Sequence, residues 1–488
     1  ALYSKLHSIR KMARNLYLRL WLLALLPRLL LALLFFQHPI ALDDMYQYDM
    51  LARSLLEGNG YRWYKQEDFD VLRTYYAKFL DVDKLEFPEN GLKTTHRAPG
   101  YPFFLTGIYA VFPQETRFGW TRIVQAVFTA TLAPISALIA IHSGFGKKTA
   151  KLAGIGMAFY PLLLFYPLAL ASENLFIPIL ALGFLSLLLT KVNQKWVTVI
   201  TSGFLLGLSM FIRSISAAFV ILGAWWTHRF GKLKRRKSLL FLVIAFSLCL
   251  PWAIRNTRLM GKLTFMESSL GYNLFISYHP EGNGGFISDI AIKPLHMIED
   301  VQRDQYATTK AIQFIKTNPK RALLRVIRKI AFFFSAEDRE MAFFYSNGIF
   351  GYIPQPWLVL LYLLLILPWI AILYFSPLGL LLSPKSSLVY LTLYLLVGYA
   401  VPHFLIIAEP RFHLALVPIL LPFALYGWTK RKQLFSSFFP YPSNKKSYLL
   451  LGTIWLLLTI FLVWDFAMGW EKLVTLMGPD GHKIQLTY

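Results

Sequence analysis

The chain reads as an all-α polytopic membrane protein with about eleven transmembrane helices and outer-side loops that carry interfacial helices. Three observations predict this. The 488 residues are 56% hydrophobic and only 16% charged, with a mean hydropathy of +0.48. The apolar runs are long and repeated, and a helix needs about 20 consecutive apolar residues to cross a bilayer. The charges are also sorted. All 26 acidic residues can be put on one side, while Lys and Arg cluster in short stretches between apolar runs, which is how cytoplasmic loops are marked. That sorting removes nucleic acid as a reading of the +24 net charge.

The first span, 16–36, follows Lys5, Arg10, Lys11 and Arg14. No small-residue cleavage site comes after it, so it is expected to be a retained signal-anchor helix. Further spans fall at 118–142, 149–170, 172–190, 196–212, 214–228, 238–254, 352–375, 387–407, 411–428 and 447–468. The run 99–113 reaches only about 22 Å as a helix, short of the roughly 30 Å hydrocarbon core. If it crossed, the cluster Lys232–Lys237 would face outward. Held at the interface or re-entrant, it leaves that cluster on the same side as Lys147, Lys148, Lys151, Lys191, Lys195, Lys430, Lys432, Lys445 and Lys446. The second arrangement satisfies every short loop. It gives eleven crossings of the cell (inner) membrane, with a cytoplasmic N-terminus and the acids on the periplasmic or extracellular face.

Three regions follow. Residues 1–255 form an N-terminal module whose first outer loop, 37–98, holds eleven acids. Residues 256–351 form an outer segment, and 352–488 form C-terminal helices with a short outer tail. In the outer segment, helix-like stretches at 300–317 and 320–335 are split by Asn318-Pro319. The second has Leu323, Leu324, Ile327, Ile330, Ala331 and Phe334 on one face, with Arg321, Arg325, Arg328 and Lys329 mostly off it. This predicts a basic amphipathic helix lying on the membrane surface. The single cysteine, Cys249, lies in an apolar span and is expected only to pack.

Chemistry-bearing residues gather on the acidic side. Asp43 and Asp44 open a helix whose face continues through Tyr48, Ala52 and Leu55 and which Gly58 and Gly60 end. Either aspartate suits the N-cap, but a helix has one N-cap, so the other is available for chemistry. His96 and Arg97 precede Pro99-Gly100 at headgroup depth, where a lipid phosphate lies; a snorkelling arginine is the simpler alternative. Arg122, Arg213, Arg255 and Arg411 sit at outer span ends, and together with Arg97 they suggest phosphate, which the planar guanidinium fork grips well. Glu173 and Glu409 are candidate counter-charges. Arg28, inside the first span beside Pro27, is either functional or snorkelling. Asp43, Asp44, Glu173 and His96 could together bind a divalent metal, and nothing in the sequence requires one. There is no HExxH metal motif, no phosphate-binding Gly-rich loop and no Ser-His-Asp signature.

The pattern Asp44-x3-Tyr48-x3-Ala52-x2-Leu55 with Gly58-x-Gly60-Tyr61 resembles the first outer loop of the GT-C glycosyltransferases. The branch it is most similar to is the family-39-like group of protein O-mannosyltransferases and lipid A aminoarabinose transferases. Three further stretches share the resemblance: Arg97-Ala-Pro-Gly-Tyr-Pro102; Pro251-Trp-Ala-Ile-Arg-Asn256, continuing to Gly271-Tyr-Asn-Leu-Phe275 and Gly284-Gly285; and Glu409-Pro-Arg-Phe412. The resemblance implies a GT-C fold and a sugar moved from a polyprenyl-phosphate donor to a hydroxyl of a glycan, lipid or protein on the outer face. It implies Asp44, with Asp43 beside it, as general base. Arg97, Arg213, Arg255, Arg411 and His96 are then expected at the donor phosphate, and Tyr48, Glu173, Tyr272, Asn273 and Glu409 at the substrates. A base and a departing phosphate on opposite sides of the sugar predict inversion. Segment 62–95 is longer than in the simplest members. The rival readings are a non-enzymatic lipid-linked glycan or lipid transporter and a scaffold subunit. A transporter is expected to show inverted repeats with broken helices at mid-depth.

Overall fold

A computed structural model describes residues 2–77, 81–85, 87–193, 195–231, 234–337, 345–346, 351–436 and 445–483. Lys232 of the basic cluster and residues 338–344 and 347–350 of the outer segment lie outside the described residues. Nearly every described element is helical, and the chain is an all-α polytopic membrane protein. Among the described residues, eight helices are long and apolar enough to cross a membrane: Asn15–Leu34, Gln114–Ser143, Glu173–Asn193, Lys234–Met260, Gln355–Leu381, Ser386–Leu405, Pro410–Lys432 and Lys446–Leu476. A ninth candidate is the pair Gly146–Ala158 and Pro161–Leu168, bent by 53°.

The N-terminal helices are α1 (Leu2–Leu34), α2 (Asp44–Leu56), α3 (Gln66–Tyr76), α4 (Gly100–Val111), α5 (Arg117–Thr129), α6 (Leu132–Ser143), α7 (Gly146–Ala158), α8 (Pro161–Phe165), α9 (Glu173–Asn193), α10 (Trp196–Ile212), α11 (Ala217–Phe230) and α12 (Lys234–Met260). The expected spans 196–212 and 214–228 fall on α10 and α11, with 17 and 14 residues. At about 1.5 Å per residue these reach about 25 and 21 Å, so eleven apolar runs give eight or nine full-length candidates. Both helices stop early at the same place. Arg213 ends α10, Ala217 starts α11, and both residues line the cavity described below. The run 99–113 forms the twelve-residue α4, about 18 Å long.

Basic residues gather at the opposite end of the bundle from that cavity. Lys385 Nζ donates to the His142 carbonyl at 2.6 Å. Lys191 Nζ lies 5.3 Å from the Phe230 ring, and Lys237 Nζ lies 5.6 Å from Trp196.

Arg28 neither snorkels nor reaches the cavity. It is 1% exposed and donates to the carbonyls of Ala24 (2.8 Å), Ala158 (2.7 Å) and Met157 (3.3 Å). Those last two carbonyls end α7, where the chain breaks before Pro161. A helix end has orphan carbonyls that water cannot satisfy in a bilayer, and Arg28 supplies the missing donors.

Segment 256–351 contains α13 (Ser269–Tyr278), α14 (Ser288–Ile292), α15 (Asp300–Thr317) and α16 (Pro319–Phe333). Pro319 is at the first position of α16, where its missing N–H costs nothing. Leu323 and Leu324 of α16 remain exposed. Lys329 does not point to solvent: it is buried and donates to Ser277 Oγ (3.0 Å) and to the Leu405 and Ile406 carbonyls (3.0 and 3.2 Å). It therefore ties α16 both to α13 and to the C-terminal helices. A second tie is Glu337, which accepts from the Tyr160 hydroxyl and lies 3.1 Å from His413 Nε2.

The C-terminal helices are α17 (Gln355–Leu381), α18 (Ser386–Leu395), α19 (Val401–Leu405), α20 (Val417–Ser436) and α21 (Lys445–Leu476). A π-helical turn, Leu396–Ala400, joins α18 to α19. Among the described residues, the strands are one antiparallel pair within 37–98, β1 (Arg62–Trp63) against β2 (Leu92–Lys93).

Candidate functional site

A cavity of about 980 Å³ opens at the acidic end of the bundle. Its walls come from α2, residues 96–98, the starts of α9 and α11, the 262–274 stretch and parts of the 402–412 stretch.

Asp43 is the N-cap of α2, and its Oδ1 accepts from the Met45 N–H at 2.9 Å. Asp44 occupies the first turn and is free of that duty. Arg97 binds Asp44 Oδ1, and Arg411 Nη2 lies 3.7 Å from Asp44 Oδ2. Burial alone would raise the Asp44 carboxyl, but Arg97 and Arg411 outweigh it and hold the group below its ordinary range. Asp43 goes the other way. It opens onto the cavity but lies deep in the molecule, and the loss of bulk water, reinforced by the Asp44 charge, pushes it up to about 6. Adjacent carboxylates thus have opposite proton affinities, a pattern associated with functional sites.

Arg97 also donates from Nε and Nη2 to Gln47 Oε1 (3.0 and 2.7 Å) and lies 5.6 Å from the Tyr48 ring. The turn that presents it is held by Tyr61, whose hydroxyl donates to the Arg97 carbonyl at 2.9 Å. Arg213 pairs with Glu173 at 2.5 Å and Arg411 with Glu409 at 2.8 Å. The aromatic ring of Phe412 lies 5.3 Å from the Arg213 guanidinium and 5.7 Å from that of Arg411. Glu267, also in the wall, accepts from Ser214 Oγ at 2.5 Å.

Of the residues singled out from sequence, Asp43, Asp44, Tyr48, His96, Arg97, Glu173, Arg213, Tyr272, Asn273, Glu409 and Arg411 line this cavity. His96 is packed between Trp63 (5.3 Å) and Tyr272 (5.2 Å). Burial, then the charges of Arg303 and Arg97, pushes its pKa well down, so it is neutral and offers no cation to a phosphate. Tyr272 spends its hydroxyl on the Ala291 carbonyl (2.8 Å), leaving its ring to face the cavity.

Two arginines lie elsewhere. Arg255 does not line the cavity; it donates to the carbonyls of Thr94 (3.0 Å) and Tyr61 (3.3 Å) and to Asn256 Oδ1 (2.9 Å). It therefore braces the turn that carries Arg97. Arg122 is buried and donates to the carbonyls of Phe35 (2.8 Å), His38 (2.7 Å) and Leu168 (2.9 Å). Gln47, Glu267, Ser172 and His403 line the cavity without having been singled out. Gln47 was readable, since three residues beyond Asp44 is the same helix face. The others carry no local signal. Among the described residues, no group of three or more His, Cys, Asp or Glu is arranged to hold a metal ion.

No family model matches the chain, and no curated protein matches it. Among solved structures, the apo crystal structure of the Archaeoglobus fulgidus oligosaccharyltransferase is similar to it at a TM-score of 0.45 and 14% identity, over 97% of this chain and 60% of that one. The same enzyme tethered by a disulfide to an acceptor peptide containing the NVT sequon gives 0.43 and 13%, over 96% and 55%. The chain spans less than two thirds of the length of these structures.

Proposed function

We propose that this chain is a GT-C-type membrane glycosyltransferase. It moves a sugar from a polyprenyl-phosphate donor to an acceptor hydroxyl on a glycan, lipid or protein at the outer, periplasmic face of the cell membrane. The observation that supports this reading is convergence. Residues 44, 97, 213, 272 and 411 are spread over most of the chain, yet all line one cavity, where guanidiniums, carboxylates and an apolar wall meet. A lipid-phosphate sugar asks for those three chemistries: cations for the phosphate, carboxylates for hydroxyls and a proton, apolar surface for the tail.

The reaction is a displacement. The acceptor oxygen attacks the anomeric carbon, and the bond from that carbon to the phosphate oxygen breaks with its electron pair. The acceptor proton passes to Asp44, and the configuration inverts. A phosphate is already a good leaving group, so the help it needs is cationic. Arg97, Arg213 and Arg411 each hold a carboxylate in the structure. An arriving phosphate competes for the same guanidiniums. As Arg97 and Arg411 turn toward it, Asp44 is released as an ionised base, so the base becomes active only when the leaving group is bound. Arg255 and Arg122, spent on carbonyls, have no part in the phosphate clamp.

The test is Asp44→Asn in purified protein with polyprenyl-phosphate sugars. Transfer is expected to fall by about 10²–10⁴-fold, while polyprenyl phosphate still binds. Wild-type transfer by the variant would remove Asp44 as base, and a wild-type protein that neither binds nor consumes any such donor would remove the function itself.

A further inference from the structure

Helix α16 has its polarity reversed for a helix that faces water. Its inward side holds Ala322, Lys329 and Phe333, all buried, and Lys329 gives its ammonium to Ser277 and to the Leu405 and Ile406 carbonyls. Successive helical residues are about 100° apart, which puts Lys320, Leu323, Leu324 and Ile327 on the side away from Lys329. There Leu323 and Leu324 are 62% and 59% exposed. Arg321 and Arg328 border the same face on one flank, about 100° and 80° round from Lys320. A lysine turned in and leucines turned out are the opposite of what water selects. The medium against this face is therefore less polar than water.

The neighbouring helix gives the depth. Helix α16 packs against α21, which is almost bare, with 6% of its apolar window buried. Between Lys446 and Asp465, α21 has no Asp, Glu, Lys, Arg or His. That stretch is about 27 Å long, close to the roughly 30 Å hydrocarbon core. Asp465 therefore marks the level at which the core ends, and Arg328 is near enough to feel its charge. This puts α16 at headgroup depth. Its bond to Ile406, a residue of the cavity wall, puts it on the cavity side.

Charge selects the lipid. Pro319–Phe333 carries five basic residues and no acid. Arg325 and Lys329 are spent on carbonyls, while Lys320 and Arg321 stay exposed. At headgroup depth the partners for such cations are lipid phosphates. A zwitterionic headgroup already pairs its phosphate with its own ammonium, so a net-negative headgroup is favoured.

We propose that the outward face of α16 is a docking surface for anionic phospholipid in the leaflet on the cavity side. Leu323, Leu324 and Ile327 enter the boundary between headgroups and acyl chains, and Lys320, Arg321 and Arg328 hold headgroup phosphates. The lipid seat carries one side of the cavity, because Lys329 joins the same helix to the cavity wall. The proposal does not depend on the sugar-transfer reading.

The experiment places an environment-sensitive fluorophore on Leu324→Cys in the full chain. The chain's own Cys249 is 0% exposed and stays unlabelled. The protein is put into phosphatidylcholine nanodiscs that contain a fixed fraction of acyl-brominated phosphatidylglycerol or acyl-brominated phosphatidylcholine, and quenching is compared. The glycerol lipid is expected to quench as if enriched about 5-fold or more at the label, the worth of one cation beside an anionic surface. In the Lys320→Gln/Arg321→Gln background, whose changes are exposed, the two lipids should quench within about 2-fold of each other. Equal quenching by both lipids in the parent protein would show a lipid contact without charge selection and overturn the proposal. So would a preference that survives in the neutralised background. Absence of quenching by either lipid would mean that solvent or another protein meets this face, which overturns it as well.

Discussion

Gly100→Ala tests whether the cavity's two sides are set by direct helix contact. Gly100 opens α4, three residues after Arg97, and meets the end of α10 just before Arg213. A Cβ there would lie 2.6 Å from Ile212 Cγ1 and 2.9 Å from both Ile212 Cα and the Phe211 carbonyl oxygen. Carbon atoms pack at about 3.5–4.0 Å, so the methyl needs the helices to part by roughly 0.5–1 Å. The side-chain atom can swing away, but the backbone atoms cannot. Overpacking of this kind costs about 1–3 kcal/mol. The same displacement moves Arg97 relative to Arg213, and a misplacement near 1 Å can cost about 10²-fold in rate. The assay pairs thermal unfolding in detergent with initial rates of sugar transfer. The expected result is a lower Tm together with a rate loss larger than the stability loss explains. A Gly100→Ala protein with wild-type Tm and wild-type rate would refute the claim that this contact registers the cavity.

Two further outcomes follow from single residues. Asp43 ionises near about 3.9 unfolded but at about 6 folded. The folded state therefore holds its proton more tightly, and Asp43 contributes stability at low pH that is lost as pH rises through about 6. Asp43→Asn keeps an N-cap side chain and lacks the titration. The Tm of wild type minus that of Asp43→Asn is expected to fall between about pH 4 and 6 and level off above; a flat difference would show that Asp43 is not so perturbed. Arg28→Met removes the donors to Met157 and Ala158, and leaving buried carbonyls unpaired costs about 1–3 kcal/mol. Chemical unfolding of the variant in micelles is expected to show that loss, and equal stability would mean that the broken end of α7 needs no clamp.

How much was legible from sequence depended on whether the signal was local. The helices were readable because apolar run length is a one-dimensional property. So was the break at Asn318-Pro319, which falls between α15 and α16. The bend between α7 and α8 was not, because Pro161 and Pro167 in an apolar run are compatible with a straight span until Arg28 reaches across from another helix. Lys329 was misjudged for a related reason. Helical spacing assigns a face, but only the turn at Leu405–Ile406 reveals that carbonyl acceptors wait there.

The arginines make the same point at the site. Arg213 and Arg255 share one description in sequence, a guanidinium near the acidic end of a span. Arg213 follows the last residue of a short helix, so no further turn of α10 covers it, and it faces the cavity. Arg255 has five more helical residues after it in α12, and the carbonyls of Thr94 and Tyr61 lie against that turn. Position relative to the helix end separates the two, and that end is decided by where the cavity interrupts the bundle. A charged residue in such a chain is thus best read together with the length of the helix that carries it: the shortened helix is the sign that something other than lipid must fill the missing depth.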